Sequence, residues 1–355
     1  MTLPYVSVHM IVKENTNLGA KFLDGAFHSL REASYPNEII LVDNGSADFI
    51  HDKVYSIWKE EFKNVDCDLK IIKSDLSVFC DLRNLCIENT SKSSDFIHWI
   101  DSDEIYYPED LDFVKQYIMP QEGIKMIWSY FYHFMINPFN VQINGDAIKS
   151  KRQLNLMDYL ISKDNIFAYT KDLRWKGGVH EHLFNQKDGR VVDNTESKLE
   201  YLHYGYTKLQ WKVFLKWLRY DMIEHGHVNG YKKENIDIDS EGDNVLHSGK
   251  PKVKQIQKDY LRDWRDPNNI CWDRIPFSRP YPDVVMGTKD HLPEGAIKLI
   301  GSCKTPEDWN KYLNSIDDIS FWDWWQALYK KEGSWCNTLD AVVERCQKEN
   351  WSSAW

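Results

Sequence analysis

An α/β fold built on a mixed, mostly parallel sheet flanked by helices is what this chain predicts, and three observations carry the prediction. Apolar runs of strand length alternate with helical patterns through the first hundred residues; turn signals separate them; and the spacing suits strand-helix-strand units. Such units take right-handed crossovers and pair their strands in parallel.

Residues 5–12 form the first buried strand, and residues 17–32 place Leu18, Phe22, Leu23, Ala26 and Leu30 at helical spacing. Tyr35-Pro36-Asn37 introduces a second apolar run at 38–43, and Asp43-Asn44-Gly45-Ser46 is turn chemistry that ends in an N-cap for a helix over 48–62. A third strand at 69–72, a helix at 78–90 and a fourth strand at 96–100 follow. Asp101-Ser102-Asp103-Glu104 halts that strand, and Pro108-Glu109-Asp110 starts another helix. In a sheet of this kind ligands sit beyond the carboxyl ends of the strands, which points at the segments after residues 12, 43 and 100. The aromatic run at 124–134 reads as a longer strand, 140–175 as β-rich and loop-rich, and 198–203 as a last strand. Residues 208–224 give an amphipathic helix with Trp211, Phe214, Leu215, Leu218 and Met222 on one face. The pattern breaks over 226–250, and helical patterns return near 306–315, 320–331 and 337–349. The expected organisation is a main domain over 1–225, a loop-rich connection over 226–285 and a C-terminal helical extension over 286–355.

Composition narrows the function classes. At 355 residues, 42% hydrophobic and 28% charged, the chain is too apolar for disorder and long enough for about two domains. Its apolar runs fall far short of the roughly 20 residues of a membrane helix, and it opens as a strand in place of a secretory leader, so a soluble cytoplasmic protein is expected. A net charge of −10 makes nucleic acid a poor partner, although Lys250-Pro251-Lys252-Val253-Lys254 is a local basic stretch. The seven Cys contain no Cys-x-x-Cys pair, which argues against a disulfide framework or a zinc ribbon and for a reducing compartment. Fifteen Trp could supply platforms for sugars or bases, though the commonest role of such rings is to fill a core.

Asp101-Ser102-Asp103 is the sharpest chemical signal. In a β-like segment residues i and i+2 face one side, so both carboxylates can approach one hard cation, Mn²⁺ or Mg²⁺, and the phosphates it carries. Taken alone, the tripeptide fits an N-cap turn better. Its surroundings change that. Val6-Ser7-Val8-His9-Met10-Ile11-Val12-Lys13-Glu14, then Tyr35-Pro36-Asn37-Glu38-Ile39-Ile40-Leu41-Val42-Asp43-Asn44-Gly45-Ser46-Ala47-Asp48, then Arg83-Asn84, then Trp99-Ile100-Asp101-Ser102-Asp103-Glu104 together resemble the family 2 glycosyltransferases. The resemblance covers roughly residues 5–225.

What the resemblance implies is a GT-A, Rossmann-like fold, a nucleotide-sugar donor with a UDP-sugar favoured, Mn²⁺ or Mg²⁺ as cofactor, and transfer with inversion. Carried over by position, it implies that Asp43 contacts the nucleobase, that Arg83 lies near base and phosphates, that Asp101 faces ribose or cation, and that Asp103 is the direct metal ligand. Val12, Glu14, Asn44 and Ser102 complete the implied donor-binding set. Where the family usually has Asn-Glu after the first strand, this chain has Lys13-Glu14-Asn15.

Arg174-Trp175-Lys176-Gly177-Gly178-Val179-His180-Glu181-His182-Leu183 resembles the segment that presents the catalytic carboxylate beside the acceptor, which makes Glu181 the expected base. The paired glycines permit close approach to a sugar, and Trp175 and His180 are expected at the acceptor, with Trp175 stacking on it. His-Glu-His is a poor zinc site, because adjacent residues cannot converge on one ion as an i, i+4 pair does. His203, in Tyr201-Leu202-His203-Tyr204-Gly205-Tyr206, matches a histidine that completes the metal shell and suits Mn²⁺ better than Mg²⁺. A lone His in an aromatic strand is also an ordinary core residue. The 226–250 segment is expected to order over the donor. Two other readings stay open: a nucleotidyltransferase of similar core, and a catalytically silent sugar or nucleotide binding module whose Trp-rich C-terminal region mediates oligomer assembly. The acceptor, whether glycan, protein or small molecule, is not readable.

Overall fold

The computed structural model describes residues 2–14, 17–76, 78–135, 138–142, 160–177, 181–185, 189–191, 195–207, 274–276, 305, 307–309 and 311. The expected parallel core is present: β1 (Val6–Val12), β2 (Glu38–Asp43), β3 (Asp68–Lys73) and β4 (Phe96–Trp99) lie in the order β3-β2-β1-β4, all parallel. Both faces of β1 and β2 are covered, which is why these strands are apolar at most positions. On one face Val8, Met10, Val12, Ile39 and Leu41 meet the helix Asn17–Glu32, through Leu23, Phe27 and Leu30, and the helix spanning 48–63, through Trp58 and Phe62. On the other face Ile11, Ile40 and Val42 meet Leu82 and Cys86 of the helix Phe79–Glu88. Phe27 and Trp58 are fully buried, and truncating either would cost about 3–5 kcal/mol. Because β1 lies between β2 and β4, its outgoing and returning connections part in opposite directions. This switch point opens a crevice at the carboxyl ends of the strands.

Beyond β4 come β5 (Glu104–Tyr106), β6 (Met126–Met135), β7 (Asn140–Gln142), β8 (Leu160–Ala168), β9 (Leu173–Lys176), β10 (His182–Asn185), β11 (Gly189–Arg190), β12 (Thr195–Tyr206) and β13 (Arg274–Pro276). The sheet continues antiparallel through β8, β6, β7 and β13. β12 runs parallel to β6 and antiparallel to β5, while β9, β10 and β11 form a separate small sheet.

Most boundaries shift by a residue or two from the expected ones. The helix expected at 48–62 runs 48–63 and contains a π-helical turn at His51–Tyr55, and the last strand extends over Thr195–Tyr206. β5 lies where only a turn and a helix start were expected. Its residues pair with Tyr201, Leu202 and His203 of β12, and a three-residue strand between a turn and a proline shows no periodicity. Residues 274–276, expected in a connection, add a strand to the edge of the main sheet. Trp309, expected in the C-terminal extension, is fully buried and donates its Nε1–H to the Thr207 carbonyl at 3.0 Å. The helices expected at 208–224, 320–331 and 337–349, the break at 226–250, and all of 306–315 but residues 307–309 and 311 lie outside the described residues. Among the described residues no helix is long and apolar enough to cross a membrane. Cys67, Cys80 and Cys86 are free, buried thiols that burial pushes up to about 12, which leaves them unreactive.

Candidate active site

The loops that follow β1, β2 and β4 interlock at the crevice. Glu14, 6% exposed, donates its backbone N–H to Ser46 Oγ at 3.0 Å, accepts the Ala47 N–H on its carbonyl at 3.1 Å, and accepts Ser102 Oγ on Oε1 at 2.8 Å. One residue thus ties the loop after β2 to the Asp-Ser-Asp turn. The Val12 side chain is fully buried, and what it contributes at this edge is a carbonyl that accepts the Asn44 N–H at 2.8 Å. Asp43 Oδ1 accepts the N–H groups of Gly45 and Ser46 at 3.1 and 2.7 Å, and Oδ2 lies 2.8 Å from His51 Nε2. Gly45 has φ +90°, a left-handed value that favours glycine, so the turn depends on that residue. A cleft of 420 Å³ opens beside it, lined by Asp43, Ser46, Asp48, His51, Lys73 and Ser74 among others.

Asp101-Ser102-Asp103 is not β-like. It is a turn closed by the Glu104 N–H on the Asp101 carbonyl at 3.1 Å, and its two carboxylates take different partners. Asp101 Oδ1 accepts Trp99 Nε1–H at 2.9 Å and lies 3.8 Å from Arg83 Nη2, while Oδ2 accepts from Lys163 Nζ at 3.0 Å. Lys163 also donates to Glu104 Oε1, and Glu104 Oε2 accepts the Asp101 N–H at 3.1 Å and the Tyr106 hydroxyl at 3.2 Å. Burial works against an ionised Asp101, but Lys163 and Arg83 outweigh it and hold the carboxyl well below the usual range. At Glu104 burial outweighs Lys163, and the carboxyl is raised.

Asp103 is 6% exposed, with Oδ1 3.5 Å from His203 Nε2 and its carbonyl accepting the Tyr204 N–H at 2.9 Å. The His203 ring packs edge-on against Phe131 and His133, and its Nδ1 is buried with no hydrogen-bond partner among the described residues. A Cβ added at Gly205 would lie 2.7 Å from His203 Nε2 and 3.0 Å from Asp103 Oδ2. A carboxylate, an imidazole and a glycine that leaves room beside both fit a divalent ion as a pair of ligands. Asp101, expected as a further ligand, has Lys163 as its partner at Oδ2. Among the described residues no group of three or more His, Cys, Asp or Glu side chains is placed to hold a metal.

Helix Phe79–Glu88 positions the third part of the site. Asn84 Oδ1 accepts the Trp175 N–H at 2.8 Å and Nδ2 donates to the Trp175 carbonyl at 3.0 Å, so the side chain pins β9 to the helix. β9 pairs with β10, and Glu181 is the residue just before β10. There Arg83 Nε donates to Glu181 Oε1 at 3.2 Å, with both side chains under a tenth exposed. Burial raises the Glu181 carboxyl above its ordinary value against the opposing pull of Arg83. The Arg83 guanidinium lies 3.0 Å over the Trp99 ring centroid. Trp175 is 4% exposed, edge-on to Trp99 at 5.0 Å and to Phe167 at 5.7 Å. The ring expected to stack on the acceptor is thus covered by these neighbours and lies beside Arg83. His180 lies outside the described residues.

Of the residues singled out in the sequence, the fold brings together Glu14 with Ser102, Arg83 with Asp101 and Glu181, and Asp103 with His203. Sequence reasoning missed Lys163, Glu104, Asn84 as a strand clamp, and Trp99 as a stacking surface. Lys163 is 62 residues from Asp101, and no local pattern marks such a pair.

No family model and no curated protein matches the chain. Among solved structures it is similar to S. aureus TarS 1-349 in complex with UDP-GlcNAc, at 15% identity over 46% of this chain and 45% of that one, with a TM-score of 0.29. It is also similar to 4-diphosphocytidyl-2C-methyl-D-erythritol synthase from Anaerococcus prevotii, at 16% identity over 46% of this chain and 71% of that one, with a TM-score of 0.28. Glucosyl-3-phosphoglycerate synthase from Mycobacterium tuberculosis, in complex with Mn²⁺, UDP and phosphoglyceric acid, matches at 17% identity over 36% and 43% of the two chains, with a TM-score of 0.26. The chain spans about half the length of the first of these, or less.

Proposed function

We propose that this chain transfers a sugar from a nucleoside-diphosphate sugar to an acceptor hydroxyl, with inversion at the anomeric carbon. The observation that supports this most is convergence at the carboxyl ends of β1, β2 and β4. Charged side chains from segments distant in sequence meet there: Asp101 with Arg83 and Lys163, Arg83 with Glu181, and Asp103 with His203. The resemblance to family 2 glycosyltransferases assigns most of the same positions to donor and base, and favours a UDP-sugar.

In this reading the cleft beside Asp43 takes the nucleobase, and Arg83 faces the diphosphate. Asp103 and His203 would hold Mn²⁺ or Mg²⁺, which when bound neutralises charge on the departing nucleoside diphosphate. Glu181 takes the acceptor proton as the acceptor oxygen bonds to the anomeric carbon and the bond to the diphosphate breaks. Arg83 orients the Glu181 carboxylate through Nε and favours its ionised, basic form against burial. The acceptor is a glycan, a protein side chain or a small molecule.

Calorimetric titration with UDP and UDP-sugars in Mn²⁺ tests the donor, and a donor at 100 times its Kd should stabilise the fold by about 2.7 kcal/mol. Asp103→Ala should abolish nucleoside diphosphate release. Absence of any nucleoside diphosphate binding would sink the reading. Release of pyrophosphate in place of UDP would instead identify a nucleotidyltransferase.

A further inference from the structure

Lys163 is a cation at this edge that the proposed reaction leaves without a task. It stands on β8 with its side chain 16% exposed, and its ammonium donates to Asp101 Oδ2 at 3.0 Å and to Glu104 Oε1. An ammonium has three N–H donors, and carboxylates take two. The same ammonium lies 4.5 Å from the Trp99 ring centroid, the ring over which Arg83 stacks and whose Nε1–H holds Asp101. Asp101 is thus flanked by Lys163 on one oxygen, and by Trp99 and Arg83 on the other. A divalent ion bound to Asp101 would lie within a few ångströms of both cations, and at such distances like charges repel strongly in a partly buried site. The Asp103 carboxylate lies apart from both cations' contacts, with Oδ1 3.5 Å from His203 Nε2.

We propose that Lys163 is a donor-site residue whose remaining N–H binds an oxygen of the donor diphosphate, and that Asp101 is the positioning residue that holds Lys163 and Arg83 beside it, not a ligand of the divalent ion. The inference rests on the nucleotide-sugar reading above. It divides the charge of the diphosphate between two devices, a fixed pair of protein cations on one side and the Asp103–His203 pair on the other. Glu104 belongs to the first device. Its carboxylate accepts from Lys163, the Asp101 backbone and Tyr106, so it locks the ammonium in place from below.

The test compares UDP with uridine by calorimetry in wild type, Lys163→Met and the double variant Lys163→Met with Glu104→Gln. The double variant removes one charge of each sign and so spares the fold an unpaired buried carboxylate. UDP should weaken about tenfold in both variants while uridine stays within about twofold, since a charge-assisted hydrogen bond is lost at the phosphates alone. UDP affinity equal to wild type, equal weakening of UDP and uridine, or unfolding of both variants would each overturn the proposal, the last by making Lys163 a structural ion pair. Mn²⁺ titration without nucleotide, followed by Trp fluorescence, tests Asp101. Asp101→Asn should leave the Mn²⁺ Kd within about twofold and Asp103→Asn should weaken it about tenfold or more; the reverse order overturns the assignment. A wild type that binds no UDP overturns the nucleotide-sugar reading itself, whereas UDP binding indifferent to Lys163 overturns this inference alone.

Discussion

The two ends of the same parallel strands treat a buried acid differently. At the amino end Glu38 is fully buried and accepts from Ser7 Oγ, from the Ser91 N–H at 2.8 Å, from Ser94 Oγ at 3.2 Å and from Lys70 at 2.6 Å. At the carboxyl end Glu181 has 3% side-chain exposure and accepts from Arg83 at 3.2 Å. Burial pushes both carboxyls up. At Glu38 the hydrogen bonds from Lys70, Ser7 and Ser91 more than offset burial and the carboxyl sits below its ordinary value, whereas at Glu181 burial wins. A buried acid saturated with donors holds strands together; one left short of donors keeps basicity for chemistry.

Substitutions at the two ends should separate along that line. Glu181→Gln should lower sugar transfer by about 10²–10⁴ with UDP binding retained, as measured by product formation and calorimetry. A variant within tenfold of wild type would erase the distinction. Glu38→Ala should do the opposite, with turnover per folded molecule unchanged and urea unfolding reduced by about 1–3 kcal/mol, since buried donors lose their acceptor. Gly205→Ala sharpens the contrast at the proposed metal-ligand pair, where the new Cβ presses on His203 and Asp103; the Mn²⁺ Kd should rise about tenfold while the melting temperature barely moves.

The smallest effects are in pH. In its proposed role Glu181 acts as a base only when ionised, and its carboxyl is raised, so the acid limb of kcat/KM should lie above the roughly 4.3 of an unperturbed glutamate. Arg83→Met removes the cation that opposes burial and should move that limb higher still. Glu38 runs the other way. Its folded carboxyl is depressed, so its contribution to stability is present above its unfolded value and is lost as pH falls through the folded one. Glu38→Gln should flatten the acid side of the stability profile.

How much of the site was legible depends on how far apart its partners lie in the chain. The positions of Glu14, Asp43, Asp101 and Asp103 were legible because each lies at or within a few residues of the carboxyl end of an apolar strand, and strand ends at a switch point are where ligands are expected. The orientation of the Asp-Ser-Asp carboxylates was not, since the period-two rule holds for strands and this segment closes a turn through Glu104. The burial of Trp175 was not legible for a related reason: a Trp beside glycines looks exposed, but Asn84 pins its backbone and Trp99 packs against its ring.

Neighbouring residues alone determined the strands β1 to β4, the helices between them and the turn at Asp43–Ser46, because periodicity and turn chemistry act over a few positions. Only the tertiary structure decided that Lys163 holds Asp101, that Arg83 meets Glu181, and that Trp309 seats on the end of β12. Each of those contacts joins positions more than sixty residues apart, and the order of strands in the sheet, not the spacing along the chain, sets their distance.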